Sequence, residues 1–139
     1  MQTYTYNDIM VGMKKSVVYT ISEDIVARFI ETFGDVSPVH IDDAYAREYG
    51  FKSSIAHGAI LNGFLSHFVG VEFPGKHALL QSVKMQYKAP NYIGDAVTLE
   101  AEVVQKVDAV RVIVMNIRIT NKTQNCLSAT AVAQVGMRE

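Results

Sequence analysis

A single α+β domain, with one apolar helix laid against an antiparallel sheet, is the fold class that this sequence predicts, and three observations predict it. The stretch from Ser53 to Val71 carries no Asp, Glu, Lys or Arg and keeps helical spacing through Ile60, Leu61, Phe64, Leu65, Phe68 and Val69. From Ala78 onward, apolar and polar residues alternate as they do in half-buried strands. No repeat, linker or low-complexity segment divides the 139 residues. Residues 1–139 therefore read as one domain, long enough to bury about two-thirds of the surface that the unfolded chain exposes.

The elements follow in order. Val17, Val18 and Tyr19 form a strand candidate, and Gly12 breaks the chain before it. Ser22 is placed to cap a helix whose first turn holds Glu23 and Asp24, where the positive end of the helix dipole favours them. Ile25, Val26, Phe29, Ile30 and Phe33 make its apolar face, and Gly34 stops it. Asp42 caps a short helix in which Tyr45 and Tyr49 share a face, Asp43 pairs with Arg47, and Gly50 marks the end. Residues 51–55 lead into the uncharged helix, and a helix without a charged side is expected to be wrapped by other elements.

In the second half, Val83, Met85 and Tyr87 alternate with Ser82, Lys84, Gln86 and Lys88 until Pro90 ends the strand. Val97, Leu99, Ala101 and Val103 alternate with Thr98, Glu100 and Glu102, and Lys106 to Ala109 is short enough for a hairpin. The next strand reads as Val110 to Thr120. It is apolar on one face through Ile113, Met115, Ile117 and Ile119 and on the other through Val110, Val112 and Val114, so both faces of its first half are expected to be buried. Asn121 to Asn125 is a polar turn before a last strand with Leu127, Ala129, Ala131, Ala133 and Val135 on one face.

Composition narrows the function classes. Thirteen basic and fourteen acidic residues leave a net charge of −1 with no dense basic block, which argues against nucleic-acid binding. Cys126 is the only cysteine, and it and the four histidines show no zinc or iron spacing, so no metal is expected. The segment Met1 to Tyr6 lacks a basic region followed by an apolar run, and the cytoplasm is the expected compartment. The uncharged stretch holds His57, Asn62, Ser66 and His67 and falls short of a membrane span, for which ~20 apolar residues are needed. An apolar fraction of 49% with a mean hydropathy of +0.11 is high for a small domain and points to a surface covered by a partner, with a homodimer or larger even assembly expected.

The chemistry-bearing stretch is Phe33-Gly34-Asp35-Val36-Ser37-Pro38-Val39-His40-Ile41-Asp42. Pro38 holds Ser37 out of the α region, so Asp35 and His40 are expected on a loop that folds their side chains together. A carboxylate beside an imidazole can hold one water and divide proton removal from proton supply between them. The same residues also make an ordinary turn after a helix.

This segment resembles the motif of the MaoC-like, (R)-specific enoyl-CoA hydratase family, Gly-Asp-x-Asn-Pro-x-His followed by Asp, with Ser37 in the place of the Asn. The resemblance continues through Ile55-Ala56-His57-Gly58 to Ser66, which looks like the family's central helix, and through Phe73-Pro74-Gly75-Lys76 and Ala89 to Asp95. It implies a hot-dog fold, a curved antiparallel sheet wrapped around one long central helix, in a protein that commonly pairs into dimers. The implied reaction is reversible syn addition of water to a trans-2-enoyl thioester, giving an (R)-3-hydroxyacyl thioester. Asp35 is then the general base, His40 its partner and proton donor, and the Gly58 amide at the helix start the oxyanion donor. Ser66 corresponds to a family serine beside the pair, and His57 either shapes the site or caps the preceding chain. Phe64, Leu65 and Phe68 are candidates to line an acyl tunnel, and core packing explains them equally well. His67 and His77 match no motif.

No cofactor is implied beyond the coenzyme A or acyl carrier protein that forms part of the substrate. A CoA-dependent hydratase competes with a dehydratase acting on acyl carrier protein, for which Arg47, Lys52, Lys76, Lys84 and Lys88 offer a basic rim, and with a non-catalytic thioester-binding module. A thioesterase is the remaining reading, against which the Asp-x-x-Pro-x-His spacing argues.

Overall fold

In the computed structural model, which describes all residues from Met1 to Glu139, α1 (Glu23–Phe33), α2 (Pro38–Ile41), α3 (Asp43–Glu48) and α4 (Ala59–His67) lie between the first strand and the remaining four. The strands are β1 (Lys14–Thr20), β2 (Ala78–Tyr87), β3 (Ala96–Val107), β4 (Val112–Asn121) and β5 (Cys126–Met137), in one antiparallel sheet of order β1-β3-β4-β5-β2. This is the expected α+β hot-dog arrangement.

The alternation read from the sequence sets which face is covered. Leu99 pairs with Ile119 and Ile119 with Ala129, and all three are fully buried. Ile60, Leu61, Phe64, Leu65 and Phe68 join those side chains in one core cluster. The driving force is the apolar area removed from water, about 25 cal/mol for each Å². Bulges at Leu80/Ser82, Val103/Gln105 and Ile119/Thr120 interrupt the ladders, and such bulges bend strands.

Local signals set the helix ends. The Ser22 hydroxyl accepts from the Ile25 amide, and Gly34 closes α1 at φ 70°, a left-handed conformation that suits glycine. The Asp42 carboxylate accepts from the Tyr45 amide and starts α3. Both the amide and the hydroxyl of Ser54 donate to Asp43, and the backbone bond is the main cause that holds the Asp43 carboxyl below the usual carboxylate range.

Several expectations need correction. The uncharged stretch is not one helix: α4 has nine residues and passes into a π-helical turn, Phe68–Glu72. Nor is it wrapped on all sides, since Ala59, Gly63, Ser66 and His67 are exposed. Phe33 is 71% exposed at the end of α1 instead of joining a buried face. Val110 is not in a strand. The β3–β4 connection runs through Asp108 to Arg111 rather than Lys106 to Ala109, because the register that pairs Val97 with Asn121 and Val103 with Met115 centres the reversal on Ala109, and this leaves Val110 63% exposed in the turn. Val112 is buried and Val114 half-buried.

The loop from Lys88 to Asp95 is held by a buried polar knot. Asn121 donates to Asn91 and to Asp95, each at 2.8 Å, and Ser128 donates to Asn91. Ser128 points inward because it is the extra residue of the bulge: Ile119 faces Ala129, and the next pair is Thr120 with Leu127. Asn121→Ala leaves two buried acceptors each short of a donor, and the expected loss is about 1–3 kcal/mol of unfolding free energy. Urea denaturation of the variant beside the parent measures it, and an unchanged midpoint refutes the role.

Candidate active site

Asp35 and His40 come together, but not on a loop alone. Asp35 follows the Gly34 cap, whereas His40 sits in the one-turn helix α2, which begins at Pro38 with the fixed φ and the absent N–H that suit a helix start. Ser37 is extended at ψ 134°. Its amide, not its hydroxyl, makes the local bond, donating to Asp35 Oδ1 at 3.2 Å.

His40 Nδ1 lies 2.7 Å from the carbonyl oxygen of Ile55. A carbonyl only accepts, so Nδ1 carries a proton and Nε2 faces Asp35, with Oδ2 4.0 Å away. That gap is too long for a direct hydrogen bond and short enough for a water lying to one side to reach both groups. The Asp35 side chain is 48% exposed and that of His40 14%, so the carboxylate meets solvent while the imidazole is held by protein.

His57, which the sequence left between a shaping and a capping role, stands in the same cluster and is buried. Its Nε2 is 2.9 Å from the Asp35 carbonyl oxygen and 3.9 Å from Asp35 Oδ2. Its ring stacks on His40 with centroids 3.8 Å apart and planes 25° apart. Ligating atoms of Asp35, His40 and His57 fall within 4.8 Å of one another, a grouping that the sequence spacing did not reveal. His57 Nε2, the atom nearest the Asp35 carboxylate, already carries the proton it gives to the carbonyl and offers no lone pair to an ion. The group is therefore built to handle protons better than to converge on an ion.

Gly58 precedes α4 with φ −57° and ψ −34°, so glycine is not required by its backbone angles. It is favoured by space: a Cβ there would stand 3.0 Å from Cε1 of Tyr87, and that side chain would have to give by a few tenths of an ångström. Tyr87 in turn donates to Asn62 Oδ1 at 2.6 Å, tying the end of β2 to the first turns of α4. The amides of His57, Gly58 and Ala59 find no acceptor in the protein, as the first N–H groups of a helix do not. Gly58 and His40 share a cavity of about 520 Å³, whose wall includes Leu61, Tyr87, Lys88 and Pro90. A second cavity, of about 710 Å³, opens between α1 and α4 and is lined by Phe29, Phe33, Gly63 and Phe64.

The remaining candidates fall elsewhere. Leu65 and Phe68 are completely buried in the core and line neither cavity, because the inner side of α4 faces the sheet. Phe64 lines the α1–α4 cavity and stacks on Tyr19 at 4.6 Å. Ser66 is exposed and its hydroxyl makes no hydrogen bond to Asp35 or His40. His67 is exposed on α4, where its Nδ1 meets the Tyr19 hydroxyl at 2.9 Å. Sequence reading missed the Ile55 carbonyl, Tyr87 and Asn62. Tyr87 was visible as a strand residue, but nothing in its spacing places it on Gly58.

The family model for the MaoC like domain matches residues 8–125. An (R)-specific enoyl-CoA hydratase of Rhodospirillum rubrum is 38% identical over 93 residues, which make up 67% of this chain and 65% of that protein. A 3-hydroxybutyryl-CoA dehydratase of Methylorubrum extorquens is 33% identical over 100 residues, 72% of this chain and 64% of that protein. The chain thus spans a little under two-thirds of the length of these relatives. Among solved structures, an unliganded R-hydratase from Pseudomonas aeruginosa superposes with a TM-score of 0.89 at 28% identity, covering 99% of this chain and 88% of that one.

Proposed function

This chain belongs to the MaoC-like domain family, and from that membership and the geometry of its site we propose that it catalyses the reversible, (R)-specific hydration of a trans-2-enoyl-CoA to the (R)-3-hydroxyacyl-CoA. The observation that carries this reading is the 4.0 Å gap between Asp35 Oδ2 and His40 Nε2, beside a helix-start amide with no acceptor in the protein. Relatives named for this hydration and for 3-hydroxybutyryl-CoA dehydration support it.

The steps follow from the groups present. A water held between Asp35 and His40 loses its proton to the Asp35 carboxylate as its oxygen bonds to the β-carbon. Electron density moves to the thioester oxygen, where the Gly58 N–H and the positive end of α4 stabilise it. His40 in its doubly protonated form then delivers the Nε2 proton to the α-carbon. Both groups approach from one side, which gives syn addition. The pair is left one proton transfer from its starting state, and the Nδ1 bond to Ile55 keeps the ring oriented throughout. Lys88 lines the cavity, and its ammonium meets only the amide oxygen of Gln86, so its charge is free for a phosphate of the carrier.

Asp35→Asn and His40→Ala are each expected to lower hydration about 10²-fold or more with the fold intact. Because both act on one water, the double variant should be little worse than the poorer single one. Loss of enoyl absorbance with a short enoyl-CoA, alongside thiol release and an acyl-carrier-protein substrate, measures all four proteins and separates hydratase from thioesterase and from a carrier-protein enzyme. Full activity in either single variant refutes the assignment.

Gly58→Pro keeps the φ of the site and deletes the amide, and about a hundredfold loss of kcat or more is expected. Gly58→Ala keeps the amide and crowds Tyr87, so it serves as the control and should lose much less. Equal losses would place the effect in crowding rather than in the missing N–H.

We also expect a homodimer. Beside the high apolar fraction, the surface that supports it is the uncharged exposed stripe of Ala59, Gly63 and Ser66 next to the exposed Phe33. Light scattering at micromolar concentration should give twice the chain mass of 15.4 kDa, and Gly63→Arg should shift it toward the monomer. A monomeric parent refutes the assembly.

A further inference from the structure

We propose that His57 is a positioning residue that holds Asp35 and His40 in place together, a role that rests on the hydration chemistry proposed above. The ring is 3% exposed and almost every side of it is engaged. Its Nε2–H donates to the Asp35 carbonyl at 2.9 Å and so fixes the peptide unit next to the Cα that carries the carboxylate. It lies face to face with His40 at 3.8 Å. Phe29 packs against it with centroids 4.6 Å apart.

Nδ1 is the exception, buried and without a partner. A histidine kept only for structure usually satisfies both ring nitrogens, because an unpaired buried polar atom is costly. The arrangement makes sense if the ring serves through its one donor and its face. With a single proton on Nε2 the ring is uncharged, and an uncharged ring can lie against His40 while His40 gains and loses its own Nε2 proton. A second cation at that distance would oppose each gain. Removing the donor frees the Asp35 peptide, whereas removing the face leaves the His40 ring still tied through Nδ1 to the Ile55 carbonyl, so the donor carries the larger share. A displacement of ~1 Å at a reacting group is enough to cost ~10² in rate.

Two measurements test this. Long-range proton–nitrogen correlation spectra with ¹⁵N-labelled histidine, at neutral pH, should show His57 with one proton, on Nε2. A proton on Nδ1 overturns the proposal. Steady-state kinetics with a short enoyl-CoA form the second arm. The amide nitrogen of His57→Gln falls near the position of Nε2, whereas that of His57→Asn falls short. The Asn variant should lose kcat about a hundredfold with KM within about threefold, and the Gln variant should stay within about tenfold of the parent. Equal losses in the two, or a loss carried by KM, overturn it as well. If His57→Asn does not fold, His57→Phe, which keeps a ring and lacks the donor, takes its place in the comparison. A parent protein that hydrates nothing refutes the hydratase reading instead, and the spectra still decide the state of His57.

Discussion

Everything at the site hangs on the short segment from Ile55 to His57, which is stitched to the chain on both sides. The Ile55 amide donates to the Val39 carbonyl at 3.0 Å, and the Ile55 carbonyl takes the His40 Nδ1 proton at 2.7 Å. One residue on, the Ala56 amide donates to Asn91 at 2.8 Å, and His57 then reaches back to the Asp35 carbonyl. These bonds convert a carboxylate and an imidazole on separate turns into a pair of fixed geometry. Without them each residue would have to be ordered on its own, at about 1–2 kcal/mol of backbone entropy for each.

The sheet supplies the rigidity behind that segment. Asn91, which holds Ala56, is itself held by Asn121 at the end of β4 and by Ser128 at the bulge in β5. The bulge thus has a positional consequence beyond bending the strand. By adding one residue it turns Ser128 from the outer face to the inner one, where a hydroxyl is needed, and the Ser128 carbonyl then accepts from the amides of Lys88 and Ala89 in the cavity wall. A network of this kind contributes most when every member is satisfied, because an unpaired polar group in a dry core costs more than a hydrogen bond gains.

Much of the fold was legible because local rules settled it. Ser22, Gly34 and Asp42 act at the helix ends as their types suggest, and the alternation in β3, β4 and β5 survives burial almost residue by residue. The misreadings have a common cause. Val110 follows the strand pattern in composition, but the register that pairs Val97 with Asn121 and Val103 with Met115 puts the reversal of the chain on it. Phe33 has the spacing of a core residue, yet it ends a helix beyond which the core does not extend. A pattern reports what a side chain prefers, whereas its position depends on where a partner strand or helix stops.

The site divides along the same line. The nearness of Asp35 to His40 and the place of Gly58 at a helix start could be read because the proline, the glycine and the spacing all restrict the backbone, and a restricted backbone leaves a signature in residue type. His57 could be named but not given a function. Its partners are a carbonyl oxygen and the faces of two rings. Every residue has the first, so no letter in the sequence marks it. The second depends on Phe29 and His40, respectively twenty-eight and seventeen residues away, both packing against the ring. Leu65 and Phe68 show the converse: their apolar letters suit a substrate tunnel and a core equally, and only the direction in which α4 presents them, toward the sheet, decides for the core.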